Sequence, residues 1–121
     1  MKSVWAGRIV SAIPVLFLLA DGASHILKPA AVVQAFAQLG YPLSTAVPIG
    51  IVAILCVAIY VIPRTSALGA ILLTGYLGGA VSTHVRVGDP LFETIFPVII
   101  GALVWGGAYL RDARLRALIA G

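Results

Sequence analysis

The chain has 121 residues, of which 61% are hydrophobic and 10% are charged, and its mean hydropathy is +1.11. This balance lies far outside the range of soluble domains and is typical of a protein embedded in a lipid bilayer. A spanning helix needs about 20 mostly apolar residues, so this length holds four spans with short connections and leaves no room for a separate soluble domain.

Charge and cysteine content narrow the function classes further. The formal net charge of +4 comes from eight basic and four acidic residues. The basic residues gather beside the apolar stretches, which indicates membrane topology signals rather than nucleic-acid binding. Cys56 is the only cysteine, so the sequence has no disulfide pair, no CxxC motif and no thiolate metal cluster.

The first predicted span covers residues 5–27, with Lys2 and Arg8 near its start and Lys28 after its end. A cleaved signal peptide is the alternative, because Ala20-Asp21-Gly22 resembles a small-residue cleavage site. An aspartate beside the cut and three further apolar stretches favour the spanning helix.

The next uncharged stretch, residues 29–63, is too long for one span and is broken at Gly40-Tyr41-Pro42. Its first part, residues 30–39, is predicted to be a short interfacial or re-entrant helix. The remaining spans are predicted at 44–62, 65–86 and 92–110. Residues 111–119 then predict an amphipathic helix at the lipid headgroups.

The positions of the basic residues predict how the chain is oriented. Lys28 and Arg86 would lie on one side of the membrane, and six basic residues on the other: Lys2, Arg8, Arg64, Arg111, Arg114 and Arg116. By the positive-inside rule, both termini lie in the cytoplasm. The predicted fold is an all-α, four-helix transmembrane bundle, multi-pass in the cell membrane.

Small residues recur at helical spacing in two spans. Gly75 and Gly79 form a GxxxG pair in span three, and Ala102 and Gly106 repeat the spacing in span four. Such pairs let helix backbones approach closely, so we expect them to form packing faces within the bundle. An interface between copies of the chain is the alternative.

Asp21 is an acidic residue inside the predicted first span, seven residues before Lys28. His25 follows at i+4 and shares its helix face. An ionisable residue at this depth costs a few kcal/mol unless it is paired or neutral, which makes it a candidate functional residue.

Further ionisable residues flank the turn between spans three and four, on the same predicted outer side. If spans one, three and four pack together, these groups form one outward-opening polar pocket with apolar walls. Tyr76, deeper in the membrane, would donate a hydrogen bond to a ligand bound there. The predicted ligand-binding residues are Asp21, His25, Tyr76, His84, Arg86 and Glu93.

Structural roles are the alternative for each of these residues. Asp21 would accept hydrogen bonds from Arg86 or His84 and hold the bundle together, Tyr76 would bond to a neighbouring helix, and Glu93 would favour a helix N-terminus. The histidines lack HxxxH or HxxE spacing, so no metal site is predicted. The residues also identify no catalytic group.

The stretch GYLGGAVSTHVR, residues 75–86, resembles the span-three motif of the DoxX-like family of small membrane proteins. Asp21-Gly22, Gly40-Tyr41-Pro42 and Trp105-Gly106-Gly107 agree with it, so the resemblance extends over nearly the whole chain. It implies a four-helix membrane bundle. Relatives named DoxX and DoxD are associated with thiosulfate oxidation coupled to quinone or with membrane redox complexes.

Two functions follow from the residues and the resemblance together. The first is binding of a lipophilic small molecule, with a quinone as the candidate cofactor, in which His84 or His25 bonds a carbonyl group and Asp21 sets the tautomer. The second is a non-catalytic membrane subunit or scaffold, which receives a membrane protein partner or a second copy of the chain. Enzyme activity stays open.

Overall fold

The computed structural model describes residues 2–120, which form helices and short connections with no β-strand in that range. The helices are α1 (Lys2–Leu27), α2 (Ala30–Leu39), α3 (Ala46–Val61), α4 (Ser66–Val87), α5 (Leu91–Arg111) and α6 (Ala113–Ala120). Single turns of 3₁₀ helix, Leu43–Thr45 and Pro63–Thr65, lead into α3 and α4.

Four helices are long and apolar enough to cross a membrane: α1, α3 with its leading turn, α4 with its leading turn, and α5. The predicted all-α fold with four spanning helices is confirmed. The spans predicted at 5–27, 44–62, 65–86 and 92–110 correspond to these helices, and the short helix predicted at 30–39 corresponds to α2.

Glycine and proline mark the helix boundaries. Gly40 and Gly88 end α2 and α4 in the left-handed conformation, with φ of 79° and 72°, which a residue without Cβ adopts at little cost. Pro29, Pro63 and Pro90 stand at or just before helix starts, where a missing backbone N–H costs little.

The four long helices form an antiparallel bundle. Helix α1 packs against α3 and α5, and α4 packs against the same two helices, so α1 and α4 face each other across the diagonal. The start of α1 and the end of α5 therefore lie at one end, which we call the termini end. The other end carries α2 and is called the α2 end.

This arrangement separates the basic residues as the sequence predicts. Lys28 and Arg86 lie at the α2 end. The six others lie at or near the termini end, in the first turns of α1, in the turn before α4, and around the α5–α6 junction. Which end faces the cytoplasm stays a prediction.

Close helix contacts occur at glycines other than those predicted. A Cβ on Gly22 would lie 3.0 Å from the Gly50 carbonyl oxygen of α3, and one on Gly7 would lie 2.5 Å from the Arg111 side chain. A Cβ on Gly69 or Gly107 would collide with Tyr60 or Ser11 respectively. These glycines let the backbones of the neighbouring helices approach each other closely.

The prediction that Gly75 and Gly79 form a packing face within the bundle is wrong. A Cβ added at either position would meet no atom within 4 Å, and both residues line a cavity. Gly106 makes only a loose contact, 3.9 Å from Val10. The spacing of small residues repeats along the helix, but the direction in which that face points depends on how the helix is rotated in the bundle.

Candidate functional site

A cavity of about 600 Å³ lies at the α2 end of the bundle. Its walls come from α1, α2, α4 and α5, with Ile49 contributed by α3. Most of the lining is apolar, and four phenylalanines contribute to it: Phe17, Phe36, Phe92 and Phe96. We call it the α2-end cavity.

Five of the six predicted ligand-binding residues line this cavity. Asp21 and His25 reach it from α1, Tyr76 and His84 from α4, and Glu93 from α5. The structure therefore brings together residues that are up to 72 positions apart in the sequence. The sixth residue, Arg86, lies outside the lining.

His25 is held by the backbone of its own helix. Its Nδ1 atom lies 2.6 Å from the carbonyl oxygen of Asp21 and 3.7 Å from the Asp21 carboxylate. A carbonyl oxygen can only accept a hydrogen bond, so Nδ1 carries the proton. In the neutral ring the Nε2 atom is then a hydrogen-bond acceptor.

Asp21 faces Tyr76 across the bundle. The Tyr76 hydroxyl, on α4, is directed toward the Asp21 carboxylate on α1. The Asp21 side chain keeps 34% of its surface exposed, and that surface opens into the cavity. Of the structural alternatives, the one in which Asp21 accepts hydrogen bonds from Arg86 or His84 is wrong, since those two side chains bond elsewhere.

His84 pairs with the turn that follows its helix. Its Nδ1 atom lies 2.5 Å from a carboxylate oxygen of Asp89. Asp89 is held there because Gly88 ends the helix, with the Asp89 N–H bonded to the His84 carbonyl oxygen at 3.1 Å. A carboxylate next to Nδ1 fixes the proton there, so Nε2 of the neutral His84 ring is also an acceptor.

Arg86 secures α2 instead of entering the cavity. Its Nη2 group donates to the Leu39 carbonyl oxygen at 2.7 Å, at the end of α2, and its guanidinium lies 5.9 Å from the Tyr41 ring centre. Tyr41 in turn donates to the Thr83 hydroxyl at 2.8 Å, because that hydroxyl is itself donated to the Gly79 carbonyl oxygen. Arg86 thus acts on the cavity through α2 and Tyr41.

The phenylalanine side chains on the cavity wall were not predicted from the sequence. The Phe17 and Phe96 rings meet edge to face at 5.0 Å, Phe92 lies 5.8 Å from Phe96, and Phe36 meets the His25 ring at 5.2 Å. The sequence contained one signal for this wall: Phe17 precedes Asp21 by four residues, so the two share a helix face.

Glu93 stands at the rim of the cavity in the first turn of α5, where negative charge is favoured by the helix dipole. The predicted helix N-terminal position of Glu93 is confirmed. Within residues 2–120, no three histidine, cysteine, aspartate or glutamate side chains gather as a metal site would require.

The helices and the cavity define a class: a small multi-pass helical membrane protein with an aromatic-walled cavity at one end. The sequence profile of the DoxX-like family matches residues 9–107, and the chain belongs to that family. The resemblance drawn from residues 75–86 is thereby confirmed. No curated protein and no solved structure gave a match.

Proposed function

We propose that this protein binds a lipophilic small molecule, a quinone or its quinol, in the α2-end cavity, and that it serves a redox-associated process in the cell membrane. One observation carries the proposal. The acceptor nitrogens of His25 and His84 and the Tyr76 hydroxyl belong to residues that line one aromatic-walled cavity. A few polar groups in an apolar cavity are the usual form of a small-molecule site.

The size and walls of the cavity suit a flat ring. A volume of about 600 Å³ lies within the usual range of ligand pockets. Aromatic rings pack well against flat conjugated rings, and Phe17 and Phe96 already meet in such an arrangement. The exposed ring of Phe92 at the rim offers an apolar path by which a hydrocarbon tail would reach the lipid.

The histidine tautomers decide which form of the ligand is favoured. A quinol hydroxyl donates, and neutral His25 and His84 accept at Nε2. A quinone carbonyl accepts, so it needs a protonated histidine, or the Tyr76 hydroxyl once that group turns away from the Asp21 carboxylate. Binding of a carbonyl by a histidine, the hypothesis drawn from the sequence, therefore requires the imidazolium form. The proposal concerns binding and assigns no electron-transfer step to these residues.

The test is mass spectrometry of organic extracts from gently purified protein. We expect a quinone or quinol in the wild type and in Leu55→Ala, a control in which an exposed side chain of α3 outside the cavity lining is shortened. His84→Ala and Asp21→Asn should lose it while their thermal unfolding in detergent stays close to wild type. Equal amounts in the wild type and both cavity variants would contradict the proposal.

A membrane subunit or scaffold is the second candidate, and the exposed surface of α4 supports it. Gly78 is exposed and lies outside the cavity lining, and a Cβ there would meet nothing within 4 Å. A partner helix or a second copy of the chain would find a small-residue surface there. Gly78→Leu would release a co-purifying membrane protein or dissociate an oligomer. An empty wild type that keeps such a partner would favour this candidate.

A further inference from the structure

A second cavity, of about 630 Å³, opens at the termini end of the bundle. It lies between the first half of α1, the turn that leads into α4, and the junction of α5 and α6. None of the residues predicted to bind a ligand lines it. We call it the basic groove.

Four arginines and one carboxylate line the basic groove: Arg8, Arg64, Arg111, Arg114 and Asp112. Asp112 forms an ion pair with Arg114, whose Nε lies 3.3 Å from the carboxylate. In the described range no carboxylate lies within ion-pair distance of the other three guanidinium groups. The groove therefore has an excess of positive charge that its own residues leave uncompensated.

Arg111 forms part of the inner wall of the groove. Its Nη2 donates to the Ser66 hydroxyl at 2.7 Å and to the Tyr60 carbonyl oxygen at 3.2 Å, which holds the guanidinium in place. Its Nε is buried and has no hydrogen-bond partner among the described residues. A buried donor without a partner is uncommon, so this guanidinium keeps an unused donor beside the groove.

Arg8 and Arg64 are exposed and are more loosely held. The Arg8 guanidinium lies 5.2 Å from the ring centre of Trp5, an exposed aromatic side chain. Exposed tryptophan beside arginine at the end of a spanning helix is typical of the headgroup region of a bilayer. Arg64 lies in the turn before α4, and its side chain makes no hydrogen bond to a described residue.

The apolar part of the groove favours a lipid over a free anion as its ligand. Val61 and Ala12 are exposed and line the groove, which continues into the lipid-facing surface of α1 and α3. A soluble phosphate would use only the guanidinium groups, whereas an acyl chain would also cover these side chains. Basic pockets between spanning helices are suited to the headgroups of anionic lipids.

We propose that the basic groove binds the phosphate group of an anionic phospholipid, with Arg8 and Arg64 on the phosphate and an acyl chain along Val61. Guanidinium groups suit this role because they bind phosphate oxygens in pairs and keep their charge. The proposal is independent of the α2-end cavity and of the direction in which the chain is inserted.

Native mass spectrometry of the full chain tests the proposal, with phosphatidylglycerol and phosphatidylcholine of identical acyl chains as probes. We expect the wild type to bind one phosphatidylglycerol more tightly than phosphatidylcholine. Each of Arg8→Gln and Arg64→Gln should weaken that binding about fivefold, and the double variant about 30-fold, as expected for loss of one or two arginines beside an anionic headgroup. Lys2→Gln, a basic residue near the same end but outside the groove lining, should bind like the wild type.

Three results would overturn the proposal. One is equal binding of the two lipids by the wild type. Another is a loss of phosphatidylglycerol binding in Lys2→Gln equal to that in the groove variants, which would show only general attraction of the lipid to a basic surface. The third is displacement of the lipid by millimolar inorganic phosphate, together with phosphate binding in phosphatidylcholine nanodiscs, which would assign the groove to a soluble anion. Thermal unfolding of each variant in detergent separates lost binding from lost fold.

Discussion

Tyr60 joins three helices of the bundle. It is fully buried on α3, and its hydroxyl lies 3.0 Å from the Ser11 hydroxyl of α1 and donates to the Val104 carbonyl oxygen of α5 at 2.6 Å. Between spanning helices such hydrogen bonds contribute about 1 kcal/mol each. The contact also depends on Gly107, because only a residue without Cβ leaves room for Ser11.

Gly107→Ala should therefore destabilise the bundle by about 1–3 kcal/mol, because the added methyl group would collide with Ser11 and the Tyr60 hydroxyl. The measurement is thermal unfolding in detergent, followed by circular dichroism. Gly78→Ala is the matched control. It lies in the middle of a helix with open space around it, so helix propensity alone should leave its stability unchanged or raise it by up to about 1 kcal/mol. Equal effects of the two variants would contradict the packing argument.

Asp112 caps the N-terminus of α6. Its carboxylate accepts the backbone N–H of Arg114 at 2.9 Å and of Leu115 at 3.4 Å. Burial alone would raise the pKa of Asp112, but hydrogen bonds from the Arg114 side chain and from these two N–H groups hold it below its ordinary value near 3.8. The ionised carboxylate is thus favoured in the folded state.

The lowered pKa sets a direction for pH dependence. Asp112 stabilises the fold above the pKa of the unfolded chain, and this stabilisation is lost as pH falls through the lower folded-state value. Asp112→Ala should cost about 1 kcal/mol at pH 7, as for loss of a helix cap, and should lose less stability than wild type when pH falls below about 4. Unfolding of both proteins between pH 7 and pH 3 checks this. Parallel pH profiles would rule out a role for Asp112 ionisation.

At the scale of whole elements, α2 covers the α2-end cavity and is held by few contacts. Phe36 is its buried side chain, packed against His25, and the Arg86 guanidinium holds its C-terminal end at Leu39. Helices with few tertiary contacts open at low free energy. We therefore expect α2 to open independently of the four spanning helices.

Arg86→Gln should raise the rate of amide hydrogen exchange in residues 30–39 about fivefold, the effect of losing roughly 1 kcal/mol from one hydrogen bond. Exchange in α1 and α5 should stay unchanged, because Arg86 makes no hydrogen bond to either helix. Lys28→Gln, an exposed basic residue before α2, serves as control and should exchange like wild type. A rise spread over all helices would show instead that Arg86 supports the whole bundle.

At the scale of the whole molecule, the two candidate sites lie at opposite ends of the bundle. The α2-end cavity holds the carboxylate and histidine groups, and the basic groove holds the arginines. If the positive-inside rule applies, the groove faces the cytoplasm and the cavity faces outward.

Cysteine labelling of intact cells measures this orientation. Cys56 is buried, so wild type should react little with a membrane-impermeant maleimide. We expect Lys28→Cys to be labelled from outside and Arg64→Cys to be labelled only after the cells are opened, because these residues lie at opposite ends of the bundle. The reverse pattern would place the termini outside, and labelling of both would indicate dual insertion.

The sequence predicted which residues share an end of the bundle better than it predicted their contacts. It placed Asp21, His25, His84 and Glu93 at one depth, because depth follows from position along an apolar helix of known rise. It missed that Arg86 turns to Leu39 and that the Nδ1–H group of His84 donates to the Asp89 carboxylate. The partner of Arg86 depends on where α2 lies, which is set by contacts between distant segments. The partner of His84 depends on the local turn that Gly88 forms at the end of α4.

By itself, the sequence determined the four spanning helices, the short helix at residues 30–39 and the family, because hydropathy, helix breakers and motifs are local properties of the chain. Only the tertiary structure decided which glycines lie at close helix contacts: Gly107 does and Gly75 does not. It also decided that the phenylalanines line a cavity. The physical reason is that every helix face in a bilayer is apolar. The rotation of each helix about its axis, which decides what a residue touches, is fixed by packing between helices and leaves little signal in the pattern.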